Sequence, residues 1–278
     1  LCWRCPINLE YPDCGVACLA ASEELIDQTT SSEAAAIIAE TILVAGGMIV
    51  PPKEWLPGLK DLAERHGAFL ILDEAQLAPA RTGKMWGFEH YDAVPDMVTF
   101  AKGMSAGLAI CGVVTRRDIA EESRGRAGTP WAGTYSGDPL PAAVALKQLE
   151  IVERDDLAAR AEVLGVRLSS GLERLSQTYE AIGDVRGKGL YSMIDVVTDK
   201  KSKRPDAAMA ERIRYNAALE GLIYICVKNF MRFCPPLIIS EAEIDQALAG
   251  LERAIKQALA GYPKDVEFRA SSSLAPGV

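Results

Sequence analysis

The sequence predicts an α/β fold, with a largely parallel sheet in a first domain and a smaller α+β unit behind it. Three observations carry this. Short, unpatterned apolar runs recur at 34–40, 68–72, 97–100 and 110–114. Strands covered on both faces read this way. A helical stretch at 53–66 lies between the first two runs, and strand–helix–strand is how parallel neighbours are connected. Asp73, Gln76 and Lys102 fall just beyond apolar runs, at the carboxyl ends where such sheets gather functional groups.

Residues 1–33 are expected to be irregular, punctuated by Pro6, Pro12 and Gly15. Ala34–Glu40 reads as a buried strand, a short apolar run ending in a charge. Pro51-Pro52 precede a helix from Lys53 to His66, with Gly67 as its stop. Ala68–Leu72 is the second strand, with Asp73 just after it, and Met97–Phe100 and Ile110–Val114 are two more. Asp138 and Pro139 read as the N-cap and first turn of a long helix carrying Leu146, Leu149, Ile151 and Val152, its pattern resuming after Leu157. Strands then follow at Tyr191–Val197, Leu222–Val227 and Met231–Phe233, with helices at Asp206–Glu220 and Glu241–Leu259. The expected division is a large domain over 1–150, a small domain over 151–262 and a frayed tail over 263–278.

The 278 residues are 49% hydrophobic, which excludes disorder as the main state. Thirty basic against 38 acidic residues give a net charge of -8, so nucleic acid is not an expected partner. The richest apolar stretch, 34–50, is broken by Glu40, Thr41 and Gly46-Gly47, so no membrane span is expected. The chain opens abruptly at Leu1 with neither a basic nor an apolar leader region, so the expectation is no signal peptide and a cytoplasmic location. Seven cysteines suit a reducing compartment. Cys2, Cys5, Cys14 and Cys18 have a spacing that could clasp zinc, but reduced structural thiols are the preferred reading, and no metal is expected. His66 reads as a helix-end residue and His90 as a loop residue, so no Ser-His-Asp arrangement emerges.

The chemistry lies in Ile71-Leu-Asp-Glu-Ala-Gln76, Arg81-Thr-Gly83 and Asp96 through Lys102-Gly103. Adjacent parallel strands would place the Asp73 carboxylate and the Lys102 amine at one sheet edge. Pyridoxal phosphate needs such a pair. A carboxylate beside its pyridine nitrogen favours the cationic, electron-withdrawing form by about 1–3 pKa units. The amine must be neutral to attack the aldehyde, and Ala101 and Gly103 leave room around it.

These motifs resemble the class III aminotransferases, pyridoxal-phosphate enzymes of fold type I. The likeness rests on Leu72-Asp-Glu-Ala-Gln76, Arg81-Thr-Gly83, Pro95-Asp96 through Lys102-Gly103, Thr134 with Gly137-Asp-Pro139, Gly183-Asp-Val-Arg-Gly187 and Arg232-Phe-Cys-Pro-Pro236. It runs from near residue 1 to about 260. It implies a covalent link from Lys102 to the cofactor and a later proton transfer by the same residue. It implies that Asp73 pairs with the ring nitrogen and that Gln76 lies near the phenolic oxygen. Thr134 would reach the phosphate of a neighbouring subunit's cofactor, which makes a homodimer with shared sites. Arg232 would grip the substrate α-carboxylate with its planar fork, and Glu40 would be an active-site acid.

Asp73-Glu-Ala-Gln76, Gly46-Gly-Met-Ile-Val-Pro-Pro52 and Asp138-Pro-Leu-Pro-Ala-Ala143 lean toward the 2,2-dialkylglycine decarboxylase branch, whereas Cys2-Trp-Arg-Cys-Pro6 with Tyr11-Pro-Asp-Cys14 is similar to the alanine–glyoxylate type. Leu77-Ala-Pro-Ala80, Ala45 and Leu108-Ala109 depart from the family pattern. The expected reaction is amino transfer between an amino acid or amine and a 2-oxo acid. The alternatives are decarboxylating transamination and a non-catalytic fragment. The family is longer at the N-terminus, where its phosphate-cradling loop lies, so this chain is expected to hold the cofactor weakly.

Overall fold

The structure, a computed structural model, describes residues 2, 3, 5, 7–30, 34–127 and 133–264. The chain divides into two compact units. One comprises 1–44 and 50–158, the other 45–49 and 159–278. The expected tail lies outside the described residues from 265 onward.

The first unit opens with α1 (Cys18–Thr29), a helix where irregular chain was expected. Its pattern is weak because only Leu19 and Ile26, two turns apart, pack onto the neighbouring core. Leu19 reaches α2 (Trp55–Arg65) at Gly58, where a Cβ would lie 2.3 Å from the leucine methyl. Helix α2 buries Leu56, Leu59, Leu62 and Ala63 against Leu70 and Leu72, and it ends at Gly67 with φ 62.

Strands β1 (Ala36–Glu40), β2 (Phe69–Asp73), β3 (Met97–Phe100) and β4 (Gly112–Thr115) pair in that order. The first three run parallel and β4 is antiparallel. Asp73 therefore closes β2 rather than following it. The expectation of a buried β1 does not hold: Ile37 and Ala39 are half-buried against the α2 core, and Ile38 on the other face is 67% exposed. By the two-residue alternation of a strand, Ile38 shares its face with Glu40, Asp73 and Thr99. Helix α3 (Arg117–Ala127), not anticipated, follows β4. In α4 (Pro139–Arg154) the Asp138 carboxylate accepts from Leu140 N–H at 3.1 Å, as the capping pattern predicts.

The second unit begins with α5 (Leu157–Thr178), most of which it contains. Its sheet runs β5 (Ile182–Lys188), β6 (Tyr191–Val196), β8 (Phe230–Phe233), β7 (Ile225–Val227), all antiparallel. Strand β5 was not expected as a strand. One face packs on α5, α6 (Ala207–Leu219) and α7 (Glu241–Leu259) through residues such as Leu172, Ile194, Ile213, Met231 and Ile255. Helix α7 starts with a reciprocal cap: Ser240 Oγ accepts from Glu243 N–H and Glu243 accepts from Ser240 N–H at 2.7 Å.

The buried Asp96, just before β3, fixes the register of the first sheet. Its N–H donates to the Leu70 carbonyl and its Oδ2 accepts from Leu70 N–H at 2.8 Å. Lys60 donates to Oδ2 and Arg116 to Oδ1, at 2.8 and 2.7 Å. Burial alone would raise this carboxyl, but the hydrogen bonds from Lys60 and Leu70 and the Lys60 charge outweigh it and hold it below the usual range. A depressed folded pKa gives stability that is complete above the unfolded value of about 3.9 and lost as pH falls through the folded one. Asp96→Asn should therefore cost about 1.5–3 kcal/mol at neutral pH. The gap from wild type should shrink in denaturant titrations below about pH 4.

Candidate active site

Strands β2 and β3 are parallel and pair Asp73 with Thr99. Their carboxyl ends therefore lie side by side. Asp73 Oδ1 accepts from Ala75 N–H at 2.9 Å and from the Thr99 hydroxyl at 3.1 Å, which orients the half-buried carboxylate. Across β1 and β2, Glu40 pairs with Asp73. Glu40 Oε2 accepts from Val44 N–H at 3.2 Å and meets Gln76 Nε2 at 3.5 Å. Glu40, Asp73 and Gln76 are thus gathered at one edge of the sheet.

Lys102 follows β3 at the same edge and opens a single 3₁₀ turn, Lys102–Ser105. It is exposed, with φ 45. A left-handed lysine is uncommon, and Ala106 four residues on is left-handed as well, with φ 49. Such backbone persists only where the surroundings impose it, and it concentrates at functional turns. The turn packs on α4, where Met104 and Ala145 share a small core with Ala78.

Thr134 stands exposed in the turn before α4, and no hydrogen bond links it to Glu40, Asp73 or Gln76 among the described residues. Arg232 lies on β8, in the second unit. Among the described residues, no group of three or more His, Cys, Asp or Glu side chains has the placement of a metal site. Cys2, Cys5, Cys14 and Cys18 are free thiols, with Cys2 and Cys18 pushed up by burial and by their neighbouring thiols.

Glu74 is the residue that the sequence did not single out. It is fully buried, whereas Asp73 is not. Its Oε1 accepts from the Thr41 hydroxyl and from Phe88 N–H, and its Oε2 accepts from Gly87 N–H at 2.8 Å. One carboxylate so ties the chain after β1 to the 3₁₀ turn at 87–90. Burial pushes its carboxyl up against the lowering by these donors, and the Asp73 charge adds to the rise. Tyr91 is pushed up to about 12 by burial and by Glu74. The signal was present in the Asp-Glu doublet, since consecutive residues at a strand end turn to opposite faces. The approach at Gly87 is close: a Cβ there would lie 2.7 Å from a Leu77 methyl and 2.9 Å from Glu74 Oε2.

The edge fits the ring end of pyridoxal phosphate. Both hydrogen bonds to Asp73 fall on Oδ1, which leaves Oδ2 to meet a protonated ring nitrogen, and Lys102 supplies an exposed amine.

The family model for class III aminotransferases matches residues 4–255. The chain is 36% identical over 259 residues to a leucine/methionine racemase of Thermococcus litoralis, covering 91% of this chain and 57% of that protein. It is 32% identical over 272 residues to a taurine–pyruvate aminotransferase of Bilophila wadsworthia, covering 88% and 60%. It superposes on an (S)-enantioselective omega-transaminase from Thermomicrobium roseum with a TM-score of 0.85 at 34% identity, over 93% of this chain and 58% of that one. The α/β architecture, with its mixed, largely parallel first sheet, is that of fold type I transferases. The chain belongs to the class III aminotransferase family. It spans less than two thirds of the length of the relatives it matches.

Glu74→Gln tests the buried tie. An amide can present an acceptor to Gly87 or to Phe88, but its NH₂ must then face the other N–H. The expected loss is about 1–3 kcal/mol, read as a lowered urea midpoint. An unchanged midpoint would show that the carboxylate's bonds to Gly87 and Phe88 N–H add little to stability.

Proposed function

We propose that the whole protein is a pyridoxal-phosphate-dependent aminotransferase, moving an amino group between an amino acid or amine and a 2-oxo acid. One observation carries this reading: a carboxylate and an amine at the adjacent ends of in-register parallel strands, in a chain of the class III family. Pyridoxal phosphate, when bound, supplies the electron sink that lets a bond at the substrate's Cα break.

The residues of this chain take the remaining tasks. Lys102 Nζ holds the cofactor covalently and, once displaced, carries the proton taken from Cα. Asp73 keeps the ring nitrogen protonated, and Thr99 and Ala75 keep Asp73 in place. Gln76 donates near the phenolic oxygen. Glu40 and Arg232 receive the substrate, the arginine through its α-carboxylate. Thr134 serves the cofactor of a second copy in a homodimer. That role is supported by the exposure of the Thr134 turn, where Tyr135 is 83% exposed, and of Leu140 and Leu146 on the helix behind it. No helix among the described residues is long and apolar enough to cross a membrane, and a cytoplasmic location is part of the proposal.

The likeness to the Thermococcus racemase favours a second reading, amino-acid racemisation. The two reactions part at one atom. In racemisation the proton returns to Cα from the opposite face, and in amino transfer it does not. Incubating a single enantiomer in deuterated water without a 2-oxo acid separates them. Deuterated antipode marks a racemase, and unchanged configuration with amino transfer on adding pyruvate marks a transaminase.

Borohydride reduction of the cofactor-loaded protein, followed by peptide mass spectrometry, should place the pyridoxyl group on Lys102 and find none in Lys102→Ala. Recovery on Lys84 or Lys188 would overturn the assignment. Asp73→Asn should leave the thermal midpoint close to wild type while turnover falls about 10²–10³-fold, the cost of removing a preorganised electrostatic partner.

A further inference from the structure

Helices α5 and α7 pack into one core in the second unit, and a groove of about 440 Å³ runs between them. Small-molecule sites occupy about 300–1,000 Å³, so the groove has room for a small ligand. Each helix lines it with residues at i, i+3, i+4 and i+7, starting from Gly171 on α5 and Asp245 on α7. Such positions share one helix face. The floor is apolar. Leu175 is buried, and Leu248 packs on the same core. Leu248 lies over Gly171, where a Cβ would stand 2.1 Å from its Cδ1.

The polar groups on the walls divide into those already paired and those not. Asp245 is taken by Arg167, whose Nε and Nη2 donate to its two oxygens at 2.8 and 2.6 Å. Glu252 is half taken. The Tyr179 hydroxyl donates to Oε1 at 2.9 Å and Lys256 Nζ lies 3.0 Å from the same oxygen, while no described residue bonds Oε2. The Lys256 and Tyr179 hydrogen bonds hold this carboxyl below its usual range, so it is ionised at neutral pH. The Thr178 hydroxyl is turned back to the Arg174 carbonyl at 2.8 Å. Arg174 itself is exposed, and among the described residues no hydrogen bond or ion pair takes its guanidinium. One cation and one carboxylate oxygen are therefore left on the walls of an apolar floor.

A ligand that uses all three has a carboxylate for Arg174, an ammonium for Glu252 and an apolar chain for Leu175 and Leu248. An α-amino acid carries these groups on one carbon. Guanidinium and carboxylate form a two-pronged, charge-assisted pair. A simple anion would make that pair but set its charge near Asp245 and Glu252, and a simple amine would set its charge near Arg174.

We propose that the groove between α5 and α7 is a binding site for a zwitterionic α-amino acid with an apolar side chain. It draws on residues of the second unit only, and none of them has a part in the amino-transfer reaction proposed above.

The test titrates the 278-residue chain with L-leucine, and with 4-methylpentanoate and 3-methylbutylamine, each of which lacks one of its charges. The readout is the Leu248 methyl resonances, assigned by their loss in Leu248→Ile. Leucine should shift them to saturation. Each analogue should bind about tenfold more weakly, because it gives up one charged, hydrogen-bonded pair. Arg174→Gln and Glu252→Gln should each weaken leucine about tenfold, with thermal midpoints close to wild type. Arg232→Lys should leave the shift unchanged, which separates this groove from the substrate grip proposed above. The absence of a leucine shift, or a shift that survives both Arg174→Gln and Glu252→Gln, would overturn the proposal. A shift lost in Arg232→Lys, or either analogue binding as tightly as leucine, would do the same. Should Glu252→Gln fail to fold, Arg174→Gln decides alone, since that guanidinium has no bonded partner to lose. Self-association that Arg174→Gln abolishes, with no leucine shift, would overturn it in favour of a second copy in the groove.

Discussion

The parallel pairing of β2 with β3 is the constraint on which the candidate site depends. Parallel strands bring both carboxyl ends to one edge, whereas an antiparallel pair would have sent Asp73 and Lys102 to opposite edges. The register is fixed at the far end. There the Asp96 main chain and side chain both bond Leu70, and Lys60 and Arg116 close on the same carboxylate. At the near end Glu74 N–H donates to the Thr99 carbonyl at 3.0 Å and the Thr99 hydroxyl reaches Asp73. A slip of one residue would turn Asp73 to the face that α2 buries. The carboxylate of Asp96 so helps aim the carboxylate of Asp73 from the opposite end of the strand pair.

Two neighbouring acids divide the work at that edge. Asp73 stays half-buried, with both hydrogen bonds on one oxygen. Glu74 is fully enclosed and has its acceptors taken by Thr41, Gly87 and Phe88. A buried carboxylate without partners would be costly, while one with three donors fixes the segments that supply them. The Asp-Glu doublet thus sets one half-buried carboxylate at the candidate edge and one fully buried carboxylate in the wall behind it.

The second unit buries a cation in the same way. Arg186 is committed on three sides, and its longest reach in sequence is to Gly47, 139 positions away. Gly47 has φ 108, and a Cβ there would meet the Phe230 ring at 2.9 Å, so the loop approaches closely only as glycine. That ring also lies 5.8 Å from the Arg186 guanidinium. Arg232, two strands across, shares the face and lies 5.9 Å from the Tyr191 ring centroid.

The sequence by itself determined the elements whose signals are local. Helix α7 runs over Glu241–Leu259 as expected, α4 starts at Asp138-Pro139, and Gly67 stops α2. It also determined a strand up to Leu72, which the structure extends to Asp73, and one that precedes Lys102, and with them the family and the candidate residues at the first edge. Helix α1 escaped because it has only two anchoring side chains, and these gain meaning only against the core of α2. Strand β5 escaped because Gly183-Asp-Val-Arg-Gly187 sets two glycines and two charges where an apolar run would mark a strand, and Arg186 fits there only because Asp195 and Gly47 receive it. The tertiary structure alone decided which acid of the doublet is buried and which carboxylates and carbonyl receive Arg186. Local propensity acts within a few residues, but burying a charge depends on donors and acceptors that the chain brings from tens to more than a hundred positions away.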